Sequence, residues 1–274
     1  MTIYKLTDLN GNQIPISDQN LVINGDFKVW PRGDSFNTNF AYTATMWQMS
    51  SNTATVSKNP TGGMKIDISS AACILMQYLK GDYTGKTLTF QMKINGSTEY
   101  AYTYDSVQSG SSSVQLANGI SLNISYSSEK QATQLWIRFD SAYISSIVID
   151  WIDVKPLPYA TVHIEEDDAI SQMRCEKHVL KLPTSYSGYT GSTSYIYFVS
   201  EKLMEMASTP SVDVIPTTIR CVFEGGVTAY NISNITVNKA SGEINVQVTS
   251  PPSSLASKSI GGWFNKNIIL SCEP

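Results

Sequence analysis

The chain has 274 residues, enough for two ordinary domains with separate cores, and only 15% of them are charged. A net charge of −4 with no cluster of Lys and Arg gives no attraction to a phosphate backbone, which excludes nucleic acid as an expected partner. No apolar run is long enough to cross a bilayer, and no basic start leads into an apolar stretch, so neither membrane insertion nor a signal peptide is expected.

Residues 1–19 hold a turn signal, Asp8-Leu-Asn-Gly-Asn12, between Ile3, Leu6, Ile14 and Ile16, with too few apolar positions for a core. They read as an arm or docking segment. The next stretch runs Asn20-Leu-Val-Ile-Asn-Gly-Asp-Phe27, then Trp30-Pro-Arg-Gly33, then Tyr42-Thr-Ala-Thr-Met-Trp47. This pattern resembles the opening of a family of bacteriophage and prophage tail proteins of the tail-fibre or receptor-binding type. There it starts a jelly-roll module similar to carbohydrate-binding domains. Thr45-Met46 stands where that family has Asp-Arg, so nothing that pair does is carried over.

From residue 20 to 157 short alternating runs follow one another. Leu88, Phe90, Met92 and Ile94 fall on one side of a strand, with Thr87, Thr89, Gln91 and Lys93 on the other. Ile120, Leu122, Ile124 and Tyr126 repeat this, as do Leu135, Ile137 and Phe139. With strands over 64–68, 73–79, 99–104 and 147–154, the spacing predicts an antiparallel β-sandwich, the jelly-roll domain of the resemblance. Pro156-Leu-Pro158 closes it, because two prolines cannot continue a central strand.

Residues 158–182 read as a linker and helix. From His163 to Leu180 the acids come first and the bases last, complementing a helix dipole. Arg174-Cys-Glu-Lys-His178 resembles the end of the corresponding family helix at Cys175, without its aromatic pair. Residues 183–274 read as a second antiparallel β-sandwich, with strands over 195–199, 218–223, 227–232, 235–238, 244–249 and 263–272. Met206-Ala-Ser-Thr-Pro210 resembles a family segment that precedes a strand. The whole is expected to be mostly β.

Chemistry is sparse. The chain has two histidines, His163 and His178, read as surface or helix-end residues, and none of the nucleophile-elbow, zinc-helix or phosphate-loop motifs occurs. The acids Glu165-Glu-Asp-Asp168 suit a helix's first turn, and Asp150 and Asp153, three apart on a strand, should point to opposite faces. Neither makes the spaced carboxylate pair of a glycosidase, so the chain is expected not to be an enzyme. Cys73, Cys175, Cys221 and Cys272 lack paired spacing and read as free thiols, with a Cys221–Cys272 disulfide as the alternative. The four Asn-x-Ser/Thr triplets, at Asn95, Asn123, Asn231 and Asn234, are read as chance.

Saccharide recognition needs a flat aromatic face beside hydrogen-bonding groups. Trp136 and Arg138, outward on one strand beside the outward Gln91 of another, offer such a platform; packing on a neighbouring domain or subunit is the competing reading. Tyr186 and Tyr189, in a Ser/Gly-rich loop over 184–194, are candidates for exposed contacts. Tyr100, Tyr102 and Tyr104 read as core-facing, and Trp263 is a weaker contact. By resemblance, Trp30 and Trp47 belong to the jelly-roll core. Also by resemblance, Asn24, Asp26 and Asp153 come together and could ligate a structural calcium ion; hydrogen bonding at turns and loop ends is the other reading. No other cofactor is expected. The resemblance implies a virion component, a homotrimer bound to other tail proteins, attaching to a host cell-surface glycan, and the expected lack of a signal peptide implies synthesis in the host cytoplasm. The alternative is a structural decoration or baseplate protein with no glycan ligand.

Overall fold

In a computed structural model, residues 20–79, 81–110, 112–192, 195–223, 226–249 and 259–272 are described, so the expected arm over 1–19 lies outside the described residues. The chain is mostly β and divides into two units, one ending at Ser171 and one beginning at Gln172.

The first unit contains β1 (Ser35–Phe36), β2 (Gln48–Ser50), β3 (Ala54–Lys58), β4 (Met64–Ile68), β5 (Cys73–Leu79), β6 (Leu88–Ile94), β7 (Thr98–Tyr104), β8 (Gln108–Ser109), β9 (Val114–Ala117), β10 (Ile120–Ser127), β11 (Ala132–Phe139) and β12 (Ser146–Lys155). One sheet has the order β1-β3-β4-β12-β6-β7; the other runs β2-β5-β11-β10-β8, with β9 also on β10. Pairing is antiparallel except for the short parallel contact of β8 with β10. The expected alternation holds: Leu88, Phe90 and Met92 from one sheet and Leu122, Leu135 and Ile137 from the other are fully buried in one core. Each such side chain contributes about 1.5–3 kcal/mol relative to exposure. Trp30 and Trp47 belong to that core. Of the three tyrosines on β7, the edge strand of its sheet, Tyr104 is buried and Tyr100 packs against the core as expected, whereas Tyr102, also expected to face the core, is exposed.

At Asp150 the β12 ladder shifts register by one residue between Ile149 and Trp151. A bulge of this kind turns two successive side chains toward one face. Asp150 therefore shares the outer face with Trp151, and the expected opposition of Asp150 and Asp153 does not occur.

The helix is shorter than its charge pattern predicts. α1 (Asp168–Glu176) starts only after Asp167, whose carboxylate accepts the amide N–H groups of Ala169 (2.9 Å) and Ile170 (3.3 Å) as an N-cap. Residues 161–167 form neither helix nor strand, and the Thr161 and Glu166 N–H groups are held by Gln91 and Asp26 of the first unit, where the sequence suggested a linker and a helical turn.

The second unit contains β13 (Val179–Lys181), β14 (Ser185–Ser192), β15 (Tyr195–Val199), α2 (Glu201–Met204), β16 (Ser211–Val214), β17 (Thr218–Phe223), β18 (Gly226–Asn238), β19 (Glu243–Val248), β20 (Ser259–Phe264) and β21 (Ile269–Ser271). Where a sandwich was expected, β14-β15-β19-β18-β17-β20 close into a barrel, beside a small β13-β21-β16 sheet. The reason is β14. Read as the loop 184–194, it is instead a strand that pairs with both β15 and β20, which removes the two edges its absence would leave. Ile196, Phe198, Ile219, Ile244, Val246 and Phe264 fill the barrel core.

Candidate functional site

The opening segment is tied to the last strand of its unit by short polar contacts. Asn24 sits in the left-handed region at φ 57°. Its amide donates to the Val29 carbonyl (2.9 Å) and its oxygen accepts the Val29 N–H (3.1 Å), closing the 24–29 loop. The Trp47 indole donates to the Asn24 carbonyl and the Trp30 indole to that of Phe27, so two core rings also satisfy the turn's backbone. Gly25 accepts the Ile152 N–H at 3.0 Å, and a Cβ there would overlap the Ile152 carbonyl oxygen, so only glycine permits this approach. Asn20 donates to the Ile152 carbonyl and to Asp153, both at 2.8 Å, while its own oxygen accepts the N–H groups of Val22 and Val154.

His163 completes the fastening. Its Nε2 lies 2.9 Å from Asp26 Oδ1 and its Nδ1 3.1 Å from Asp153 Oδ2, and its ring lies flat on Trp151. Burial alone would lower its pKa; the hydrogen bonds to Asp153 and Asp26 outweigh that and raise it to about 9. Burial would likewise raise the Asp26 pKa, yet the His163 hydrogen bond and the Glu166 N–H hold it below the usual carboxylate value. Lys155, 3.4 Å from Asp153, brings the group to one buried carboxylate, Asp153, one partly buried, Asp26, and two cations. An imidazole with both nitrogens facing carboxylates is doubly protonated and keeps no lone pair for base chemistry.

Compared with protein-family models, curated proteins and solved structures, the chain matches none.

Asp26 and Asp153 are thus brought together as the resemblance implied, but through a cationic side chain. The Asn24 side chain is committed to Val29, so these three do not fit the six to eight oxygens of a calcium cage. Among the described residues no group of three or more His, Cys, Asp or Glu is arranged to hold a metal ion. His163, read from sequence as a surface residue, is instead half-buried at the centre of this cluster. The two prolines hid that role, because they marked a boundary where the chain in fact turns back. Beside the clamp opens a cleft of about 370 Å³ bordered by Asp26, Lys28, Gly63, Asp150, Trp151, His163 and Glu165. Lys28 bridges Glu165 (2.9 Å) and Asp168 (2.7 Å) at its rim.

The expected Trp136–Arg138–Gln91 platform separates. Trp136 is 40% exposed on the outer face of its sheet, and Arg138 pairs with Asp140 at 3.3 Å. Gln91 lies in the other sheet and is buried, its amide exchanging hydrogen bonds with the backbone of Thr161 (2.7 and 2.9 Å). Outward facing in one sheet does not mean sharing a face with another, which no single-strand periodicity can reveal.

Tyr186 and Tyr189 also part. Tyr186 points into the barrel against Phe198 and Phe264, near Cys221 Sγ at 3.3 Å, and burial pushes its hydroxyl pKa far up. Tyr189 is 46% exposed on the outer wall, stacked on Tyr197 and donating to Glu243 Oε1 at 3.0 Å. Tyr195 and Tyr197 extend this surface and were missed, because Tyr195-Ile-Tyr-Phe-Val199 is apolar on both faces and its alternation does not say which one is outside. Trp263 is exposed beneath the Arg220 guanidinium, 6.0 Å from the ring centroid.

Proposed function

We propose that this chain is a structural protein of a phage or prophage virion, of the tail-fibre or receptor-binding type, which attaches to saccharide on the host surface. The observation that carries the reading is the fastening of the Asn-Gly-Asp-Phe turn to the last strand through Asn20, Gly25 and the Asp26–His163–Asp153 clamp. It is the juxtaposition that the sequence resemblance implies for a module similar to carbohydrate-binding jelly rolls. Strand order supports the same assignment: β4 and β5, and again β11 and β12, are consecutive in sequence yet lie in opposite sheets, with β12 inserted between β4 and β6.

The proposed mechanism is adhesion by repetition. A single shallow sugar contact is weak, and a symmetric assembly, a homotrimer on this reading, multiplies it into avidity without new contacts. A full-chain pulldown on host cell wall and on purified virion proteins, with solution mass measured in parallel, tests this. Retention on cell wall by an oligomer is expected. Binding confined to virion proteins would replace the reading with a decoration or baseplate role, and shortening of host polysaccharide would replace it with a depolymerase.

A further inference from the structure

We infer that the outer wall of the carboxyl-terminal barrel, across β14, β15 and β19, is a binding platform for an uncharged saccharide chain. The inference rests on the attachment reading above and assigns it a site. Along β15 the core takes Ile196 and Phe198, which leaves Tyr195 and Tyr197 outside. Tyr189 on β14 stands opposite Tyr197, their rings 5.2 Å apart and 17° from parallel, and the Tyr195 ring follows at 6.2 Å. The three rings form a continuous strip on a rigid wall.

The neighbouring strand supplies the polar half. Register sets Tyr195 opposite Gln247 and Tyr197 opposite Asn245 on β19, while Glu243, on the same side of β19, accepts the Tyr189 hydroxyl at 3.0 Å. A pyranose presents an apolar C–H face and a rim of hydroxyls that both donate and accept. A row of rings beside a row of carboxamides matches both, since each amide carries donors and an acceptor. The Asn245 carboxamide oxygen is shielded from solvent without a hydrogen-bond partner, so turning that amide toward a ligand hydroxyl forfeits no bond at that atom. The Tyr189–Glu243 bond holds its ring in place before any ligand arrives, which reduces the ordering cost of binding. Glu243 is the charged residue among these facing positions, and its carboxylate disfavours an anionic glycan.

The test is affinity electrophoresis of the full chain through gels containing neutral glucan, galactan or mannan, with anionic alginate and cationic chitosan as further arms. Melting temperatures are measured for every variant. Retardation by a neutral polysaccharide is expected, weakened about tenfold by Tyr197→Ala and by the paired Tyr189→Ala and Tyr195→Ala changes. Tyr189→Phe should keep most of the binding because it keeps the ring, and Trp136→Ala should leave it unchanged. If Tyr197→Ala lowers the melting temperature, the exposed Tyr195→Ala alone decides. Retardation that survives every tyrosine change overturns this platform but leaves attachment standing. Retardation only by alginate or only by chitosan overturns the uncharged ligand. No retardation in any arm overturns both the platform and the attachment reading.

Discussion

His163 lies flat on Trp151, ring centroids 4.1 Å apart and planes 6° from parallel, while each of its nitrogens faces a carboxylate. The stack places a cation on the face of an indole, an attractive arrangement because the ring's quadrupole is negative there. It also fixes the segment after the two prolines onto β12, so one side chain joins three parts of the first unit.

The pH dependence of stability follows from that clamp. A histidine whose pKa rises from 6.5 to about 9 on folding stabilises fully below pH 6.5, and that contribution is lost as pH climbs through 9. Asp26, with its pKa lowered from 3.8, contributes above that value and loses its contribution on acidification. Urea midpoints should therefore plateau between these limits and decline toward alkaline pH. His163→Gln should remove about 2 kcal/mol at pH 6, allowing for partial solvent screening, and flatten the alkaline decline. An unchanged alkaline limb in His163→Gln would show that another group titrates there.

Gly25→Ala should destabilise the first unit by more than about 2 kcal/mol, since the new methyl meets the Ile152 carbonyl oxygen and the turn cannot retreat without breaking the Ile152–Gly25 hydrogen bond. Chemical unfolding followed by tryptophan fluorescence reads this directly, because Trp30 and Trp47 pack around the turn.

Gln77 is fully buried and bonds both the N–H (2.7 Å) and the carbonyl (3.0 Å) of Ile23. Gln77→Leu keeps the volume but strands both backbone groups, at an expected cost of about 2–4 kcal/mol. A loss under about 0.5 kcal/mol in the same unfolding assay would mean that the segment repacks.

Thiol labelling should discriminate among the four cysteines. Cys73, Cys175 and Cys221 are buried, and burial pushes the Cys73 thiol up to about 12, whereas Cys272 is partly exposed. Native protein should release one equivalent of Ellman's product, from Cys272, and four on denaturation. Fewer than four under non-reducing denaturation would reveal a disulfide.

Tyr186→Phe should cost about 1 kcal/mol, by removing the hydroxyl contacts to Arg220 and Cys221, and Tyr186→Ala about 3 kcal/mol through the lost ring packing. Both are read by thermal melting. A glycan-binding loss in Tyr186→Phe without a stability change would return this residue to the surface role suggested by its sequence context.

Much of the strand inventory was legible because burial of one face imposes a period of two. Met64–Ile68, Cys73–Leu79, Tyr195–Val199 and Thr218–Phe223 have the bounds their alternation predicts. β14 was not legible, because Ser185-Tyr-Ser-Gly-Tyr-Thr-Gly-Ser192 has loop composition and becomes a strand only by pairing with β15 and β20. The candidate site was half legible: the exposure of Tyr189 could be inferred, whereas Tyr195 and Tyr197 required knowing which side of β15 faces the barrel core.

By itself the sequence determined the mostly β class of fold and many of the core positions, since both follow from local periodicity. Only the tertiary structure decided that the second unit closes into a barrel, that Gln91 and Trp136 lie in different sheets, and that His163 sits between Asp26 and Asp153. Those outcomes depend on which distant backbone donors, acceptors and charges meet, and no local spacing encodes a contact between residues 26, 153 and 163.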